Sequence, residues 1–343
     1  MFFLVSVAIS CGNAVVIDGL HDIRYLRPTS SRCLLVHQSW KTDDVPEKFR
    51  ALQNTWRNNN TVRTVLWTDN GNFELVAHYY PQWISHYQQL LALPAHSGGA
   101  VMAADWARLL YLHKFGGIYV DLDYEAHVSP VDWPVVRESR TNPSVQNSVY
   151  FVNSPFVLTE VMQNSLMYAP EPAHPFFLHV CETIQTTLEF IETPYCPDDT
   201  SRTTDPVSAR CQVVGAFTNR WTKSVAWLLK TEQITGPPVL DKTYTQLSLG
   251  NNPVVDRVLP LPTAEYFGHV DSNTIGPGKY ATHWHANSWV NMNPVKLMPA
   301  LSFTILVGLF AAMALAFYIG KQKNRPVDWE CFSKENGRIW GLV

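Results

Sequence analysis

Asp105, Arg108, Asp121 and Asp123 stand in one short stretch of the chain, AVMAADWARLLYLHKFGGIYVDLDYEAHVSP, residues 100–130. Three carboxylates and a guanidinium brought together would suit a divalent cation and a polar, phosphate-bearing partner. Hard oxygen ligands favour such cations, and arginine carries a permanent positive charge. An Asp-x-Asp pair directs both side chains to one face of a strand. Two like charges there are destabilising unless a cation or hydrogen-bond donors compensate.

The elements that must position these groups follow from the same stretch. Residues 101–115 are good helix formers with Val101, Leu109 and Leu112 at helical spacing, which predicts a helix. Gly116 and Gly117 supply the left-handed conformations that stop it and reverse the chain. Ile118, Tyr119 and Val120 are β-branched or aromatic and read as a buried strand that delivers the aspartates to its carboxyl end. Arg108 lies roughly 12 Å up the helix from the turn at about 1.5 Å per residue. Asp121 lies roughly 13 Å along the strand at about 3.3 Å per residue. Antiparallel packing then brings Asp105 and Arg108 level with Asp121 and Asp123, where open α/β sheets place ligands.

Blander readings compete. Asp105 and Arg108 alone could be a surface i,i+3 pair, and Asp-x-Asp a solvated strand end. An aspartate pair after an apolar strand also opens haloacid-dehalogenase-type phosphatases, but those want Thr or Val where Glu125 stands. A calcium loop of the EF-hand type would need glycine at its sixth position, here Ala126.

The order D-x-x-R followed by G-G-I-Y-x-D-x-D resembles the sugar transferases of glycosyltransferase family 32, among them the inositol phosphorylceramide mannosyltransferases and initiating α-1,6-mannosyltransferases of fungi. The resemblance extends along the chain. Residues 33–37, CLLVH, read as a first strand, 45–56 as a helix and 61–67 as a second strand, a βαβ unit with a parallel pair. The family has H-Q-T-W-K and W-T-D here, so His37, Gln38, Trp40 and Asp69 resemble its donor-nucleotide edge, with Ser39 in place of Thr. Taken alone, Trp40 and Trp67 read as core aromatics.

Residues 73–91 read as helix broken at Pro81, and 150–158 and 161–168 as strands around a turn. A further helix should run from His174-Pro175-Phe176-Phe177 to about residue 191. Asn164 holds the asparagine place of a family N-D run on the diphosphate or acceptor side, with Ser165 where Asp is usual. Thr235-Gly236-Pro237 resembles the family's T-G-P near the donor, though an ordinary turn explains it equally well. His283-Trp284-His285 could be a metal pair, since alternate residues of an extended segment face one way. The family ends its catalytic domain with a His and a Ser-Trp near the metal and diphosphate, which implies His283 or His285 together with Ser288 and Trp289.

Of 343 residues, 46% are hydrophobic, enough for a large core, and the net charge of −3 gives no basic footprint for nucleic acid. Residues 1–16 read as a signal peptide or short N-terminal hydrophobic segment. Residues 297–319 hold no charge and are long enough to cross a bilayer. Lys321, Lys323 and Arg325 behind them put the tail, 320–343, in the cytosol and the rest outside or in a lumen. With Cys11 in the leader and Cys331 in the tail, Cys33, Cys181, Cys196 and Cys211 would meet an oxidising compartment, where three pairings are possible. Asn59-Asn60-Thr61 is the only glycosylation sequon.

The resemblance implies one luminal GT-A-like α/β domain over 27–296 on a single transmembrane helix, Golgi being the family's default. It implies a retaining transferase using Mn²⁺ or Mg²⁺, with a nucleotide sugar, GDP-mannose first, as donor and a lipid such as inositol phosphorylceramide as acceptor. Asp123 would hold the ion, Asp121 the ribose or the ion through water, and Asp105 and Arg108 the sugar hydroxyls. Another donor such as UDP-galactose with another acceptor, or a binding-only membrane glycoprotein, are the rival readings.

Overall fold

The long apolar helix forms over Gly99–Phe115 and ends on Gly116 and Gly117, whose φ angles are 63° and 94°. A β-carbon on Gly117 would lie 2.5 Å from the Leu35 carbonyl oxygen, so both the backbone conformation and the close approach require glycine there. This computed structural model describes Cys11 and residues 14–284, apart from 31, 58–60, 94–97, 156–159, 193–233 and 272–273.

Eleven strands follow in chain order among the described residues: β1 (Val15–Ile17), β2 (Leu34–Ser39), β3 (Val62–Trp67), β4 (Gly117–Val120), β5 (Tyr124–Ala126), β6 (Val149–Pro155), β7 (Glu160–Ala169), β8 (Val258–Leu261), β9 (His269–Asp271), β10 (Thr274–Gly276) and β11 (Ala281–His283). A mixed sheet runs β1-β3-β2-β4-β7-β6-β8, with β1, β3, β2 and β4 mutually parallel and β7 antiparallel to β4. The β2–helix–β3 unit is the parallel pair that the apolar runs imply, its helix spanning Glu47–Thr55. The aromatic-rich region splits at Pro81 into helices Asp69–Tyr79 and Ile84–Ala92, because proline cannot continue a helix interior.

Period-2 alternation feeds two cores. Leu35, Val65, Trp67, Tyr119 and Met167 meet the Gly99–Phe115 and Pro175–Glu192 helices on one face. Leu34, Val36, Ile118, Val120 and Leu166 pack with Trp56 and Trp133 on the other. The result is a three-layer α/β arrangement with the parallel strands' carboxyl ends at one edge.

The N-terminal boundary differs from the sequence reading. Val15 and Val16, placed there in a leader segment, are strand residues, and Ile17 is fully buried against the helix-side core. The sheet thus begins well ahead of residue 27. Three residues are too few for periodicity to reveal; β1 is a strand because its partner β3 is already there. Cys11 is likewise not confined to a leader but forms a disulfide with Cys33, while Cys181 is a buried free thiol. The bond closes a loop with a sequence separation of 22, so loop-closure entropy assigns it about 3 kcal/mol. Cys11→Ser should lower the thermal midpoint, and added reductant should lower the wild type to match; equal midpoints in all three samples would remove that role.

Among the described residues no helix is long and apolar enough to cross a membrane. Residues 1–10, Asn59, Cys196, Cys211, the apolar stretch 297–319 and the tail 320–343 lie outside the described residues.

Candidate functional site

The helix Gly99–Phe115 presents Asp105 and Arg108 on one face, and β4 brings Asp121 up beside them. Arg108 Nη2 meets Asp105 Oδ1 at 2.8 Å, and Nη1 meets Asp121 Oδ1 at 3.3 Å and the Asn164 carbonyl at 3.1 Å. The helix–turn–strand geometry therefore makes the convergence that the spacing implies. Asp105 and Arg108 are 7% and 9% exposed, so this is a buried pair and not the surface pair of the blander reading.

Burial drives the electrostatics. It pushes the Asp105 carboxyl up to about 6, with Asp121 adding to the rise and Arg108, Thr235 and Asn164 opposing it. It raises Asp121 as well, against Arg108 and with Asp123. Burial alone would lower Arg108, but the charges of Asp121 and Asp105 outweigh it and hold the guanidinium protonated.

Tyr119 completes the group. Two residues before Asp121, it points to the same face and donates from its hydroxyl to Asp121 Oδ1 at 2.7 Å. The Arg108 guanidinium lies 4.6 Å from its ring centroid. The Asp121 amide donates to the Ser165 carbonyl at 2.9 Å, and Ser165 Oγ lies 3.1 Å from the Tyr124 hydroxyl. Ser165, standing where the family has Asp, thus supports the turn that carries Asp121.

The fourth wall comes from far along the chain. β11 pairs antiparallel with β5, setting His283 opposite Tyr124. The two rings stack at 4.6 Å and 7°, and His283 Nε2 lies 3.2 Å from Asp123 Oδ1. One ligand atom each from Asp121, Asp123 and His283 fall within 4.8 Å of one another. Two carboxylates suit Mn²⁺ or Mg²⁺, and the imidazole inclines the set towards a transition ion such as Mn²⁺. The residues present fit the cation that the sequence implied. His285, Ser288 and Trp289 lie outside the described residues.

The expected nucleotide edge is only partly there. His37 is fully buried in the helix-side core. Its Nε2 lies 2.9 Å from the Gly116 carbonyl and its Nδ1 accepts from the Trp67 indole at 3.1 Å. Its side chain is a structural strut between β2, β3 and the glycine turn, which corrects the expectation of a nucleotide contact. The strand register decided this: His37 shares the Leu35 face, against the helices. Gln38, on the other face, is buried with neither amide atom hydrogen-bonded to the protein. Trp40 is half-buried with its ring 5.6 Å from Phe49. Asp69 is exposed at the start of its helix, its amide donating to the Lys41 carbonyl at 3.2 Å. Trp67 is fully buried and stacks on Tyr111, a core aromatic as its sequence alone suggests. Asn164, expected on the diphosphate or acceptor side, donates its amide to the Thr235 carbonyl at 3.3 Å and also hydrogen-bonds Asp105.

Tyr119 and Ser165 were left without a role by motif spacing, and Thr235 was placed near the donor only through the T-G-P resemblance. Only Tyr119 carried a local signal, its period-2 relation to Asp121; the other two approach the site through tertiary contacts.

Similarity to known proteins agrees with this geometry. Residues 46–139 match the family described as "Glycosyltransferase sugar-binding region containing DXD motif". Inositol phosphoceramide mannosyltransferase 3 of Schizosaccharomyces pombe is 31% identical over 177 residues, 50% of this chain and 47% of that protein. Mannosyl phosphorylinositol ceramide synthase SUR1 of Saccharomyces cerevisiae is 23% identical over 163 residues, 47% of this chain and 37% of that protein. The chain thus matches less than half the length of either relative. Among solved structures, the PaToxG Glycosyltransferase covers 65% of this chain and 73% of its own at 14% identity, with a TM-score of 0.40. The region that matches the DXD-motif family, residues 46–139, holds Asp105, Arg108, Asp121 and Asp123, the carboxylates and guanidinium of the buried charge cluster.

Proposed function

We propose that this chain is a metal-dependent, retaining glycosyltransferase that moves mannose from GDP-mannose to a membrane lipid such as inositol phosphorylceramide. The observation that carries the reading is the meeting of Asp105, Arg108, Asp121, Asp123 and His283 at one edge of the sheet. Like charges clustered in a half-buried cleft cost stability, and a ligand that neutralises them accounts for the cluster. The lipid acceptor is proposed from the names of the relatives, which act on inositol phosphoceramide.

Asp121, Asp123 and His283 would hold the ion, which when bound stabilises the negative charge of the leaving diphosphate. Arg108 and Tyr119 fix one oxygen of Asp121, so that carboxylate is oriented before any ligand arrives. Asp105 and Arg108 would bind sugar hydroxyls, the carboxylate accepting and the guanidinium donating. Gln38, its amide unsatisfied, and Trp40 and Asp69 at the neighbouring strand ends would serve the nucleotide. The Cys11–Cys33 disulfide supports a luminal, Golgi-type setting, since such bonds persist in oxidising compartments.

The test is hydrolysis of a panel of nucleotide sugars, with and without Mn²⁺. Metal-dependent turnover of GDP-mannose supports the mannosyltransferase reading and leaves the acceptor open. Turnover of UDP-galactose alone keeps the class and discards the mannosyl assignment, and no turnover with no donor binding favours a binding-only glycoprotein.

A pH dependence follows from Asp105. Its folded pKa lies above the ordinary 3.8, at about 6. The stability it contributes is therefore present below 3.8 and lost as pH rises through about 6. Activity has the opposite demand, because only the carboxylate accepts from sugar hydroxyls and pairs with Arg108. Donor kcat/KM should fall about tenfold per unit below pH 6 while thermal stability does not fall in step. A profile flat down to about pH 5 would contradict the role of Asp105.

A further inference from the structure

Thr235 is 1% exposed and lies 130 residues from Asp105 in sequence, yet its hydroxyl donates to Asp105 Oδ2 at 3.1 Å. The opposite oxygen, Oδ1, is taken by Arg108 Nη2 at 2.8 Å. Arg108 Nη1 also donates to the Asn164 carbonyl at 3.1 Å, and the Asn164 amide donates to the Thr235 carbonyl at 3.3 Å. Four contacts thus close a ring, Asp105–Arg108–Asn164–Thr235, across the long helix, β7 and the turn before the helix Pro237–Leu249. All four residues are at least nine-tenths buried.

We propose that Thr235 is a positioning residue for donor-sugar recognition, its hydroxyl locking the second oxygen of Asp105 while Asn164 clamps the turn that carries it. The inference deepens the transferase reading and rests on it. An ordinary turn would not need this hydroxyl. Ser and Thr at helix starts commonly accept from the first-turn amides, but here Gly236 is the N-cap, with no side-chain cap. The Thr235 hydroxyl instead spends its proton on a carboxylate. With one oxygen held, Asp105 could still turn about its terminal torsion, which has broad minima. With both held, each oxygen keeps a fixed direction for its remaining lone pairs, and those would meet the sugar hydroxyls. The ring also explains why T-G-P belongs to the site even though it sits on another element.

Thr235→Val removes the hydroxyl with little change of shape, and Thr235→Ser keeps it. In metal-loaded full-length protein, Thr235→Val should lower donor kcat/KM roughly ten- to a hundredfold, the range for one hydrogen bond to a charged group. Inhibition by the free nucleoside diphosphate should be unchanged, because that ligand has no sugar to place. The thermal midpoint of each variant is measured alongside, and Thr235→Ser should restore most of the loss. Wild-type kinetics in Thr235→Val would overturn the proposal, as would equal weakening of sugar nucleotide and nucleoside diphosphate. Absence of turnover and of binding for every donor in the wild type would overturn the transferase reading, and this inference with it.

Discussion

Arg108→Ala should lose donor turnover and about 3–5 kcal/mol of stability together, the cost of stranding buried charge. Among the described residues the guanidinium is the one cation that pairs with both Asp105 and Asp121, and it also satisfies the Asn164 carbonyl. Its removal leaves two carboxylates in a buried site whose pKa values burial already raises. At roughly 2–4 °C per kcal/mol for a domain of this size, the thermal midpoint should drop by roughly 10 °C. Arg108→Lys keeps the charge but not the fork, so it should fold better while turnover stays down. Adding Asp105→Asn to Arg108→Ala should recover part of the midpoint, since one stranded charge disappears; strict additivity of the two losses would mean the groups do not interact. Scanning calorimetry on the wild type, Arg108→Ala, Asp105→Asn and the double variant decides it, with Arg108→Lys measured alongside.

Asp123→Asn should have the opposite signature, a loss of activity without a loss of stability. Asp123 faces Asp121 across the candidate cation site and touches His283 at 3.2 Å. Neutralising it relieves like-charge repulsion, so the metal-free midpoint should hold or rise, as is common where a site is strained for function. The wild type should gain stability from Mn²⁺, about 2.7 kcal/mol at a hundred times the dissociation constant, and the variant should lose most of that gain. Donor hydrolysis should fall by roughly a thousandfold or more, a few kcal/mol of lost charge stabilisation. Equal Mn²⁺-induced shifts in wild type and variant would remove Asp123 from the cation site.

Much of the site was legible because its first half is local. Helix periodicity, two glycines and an Asp-x-Asp strand fix distances over a span too short for tertiary structure to rearrange, and Asp105, Arg108 and Asp121 meet as those distances imply. The βαβ unit was legible for the same reason. His37 was misread because resemblance gives a position and not a direction: the register of β2 turned its ring inward, where Gly116 and Trp67 satisfy it. For Asn164 the tertiary contacts add its partners, the Thr235 carbonyl and Asp105.

The sequence by itself determined the α/β class, the parallel β2–β3 pair and the charge cluster around the glycine turn, since each depends on neighbours within a few turns or one strand. Resemblance pointed to His283 or His285 and to the T-G-P turn; only the tertiary structure decided that β1 joins the sheet, that Cys11 bonds Cys33, and that Thr235 meets Asp105 and His283 meets Asp123. Those contacts span 22 to 160 residues and are set by sheet order and the β5–β11 pairing, which no local pattern of residue types encodes.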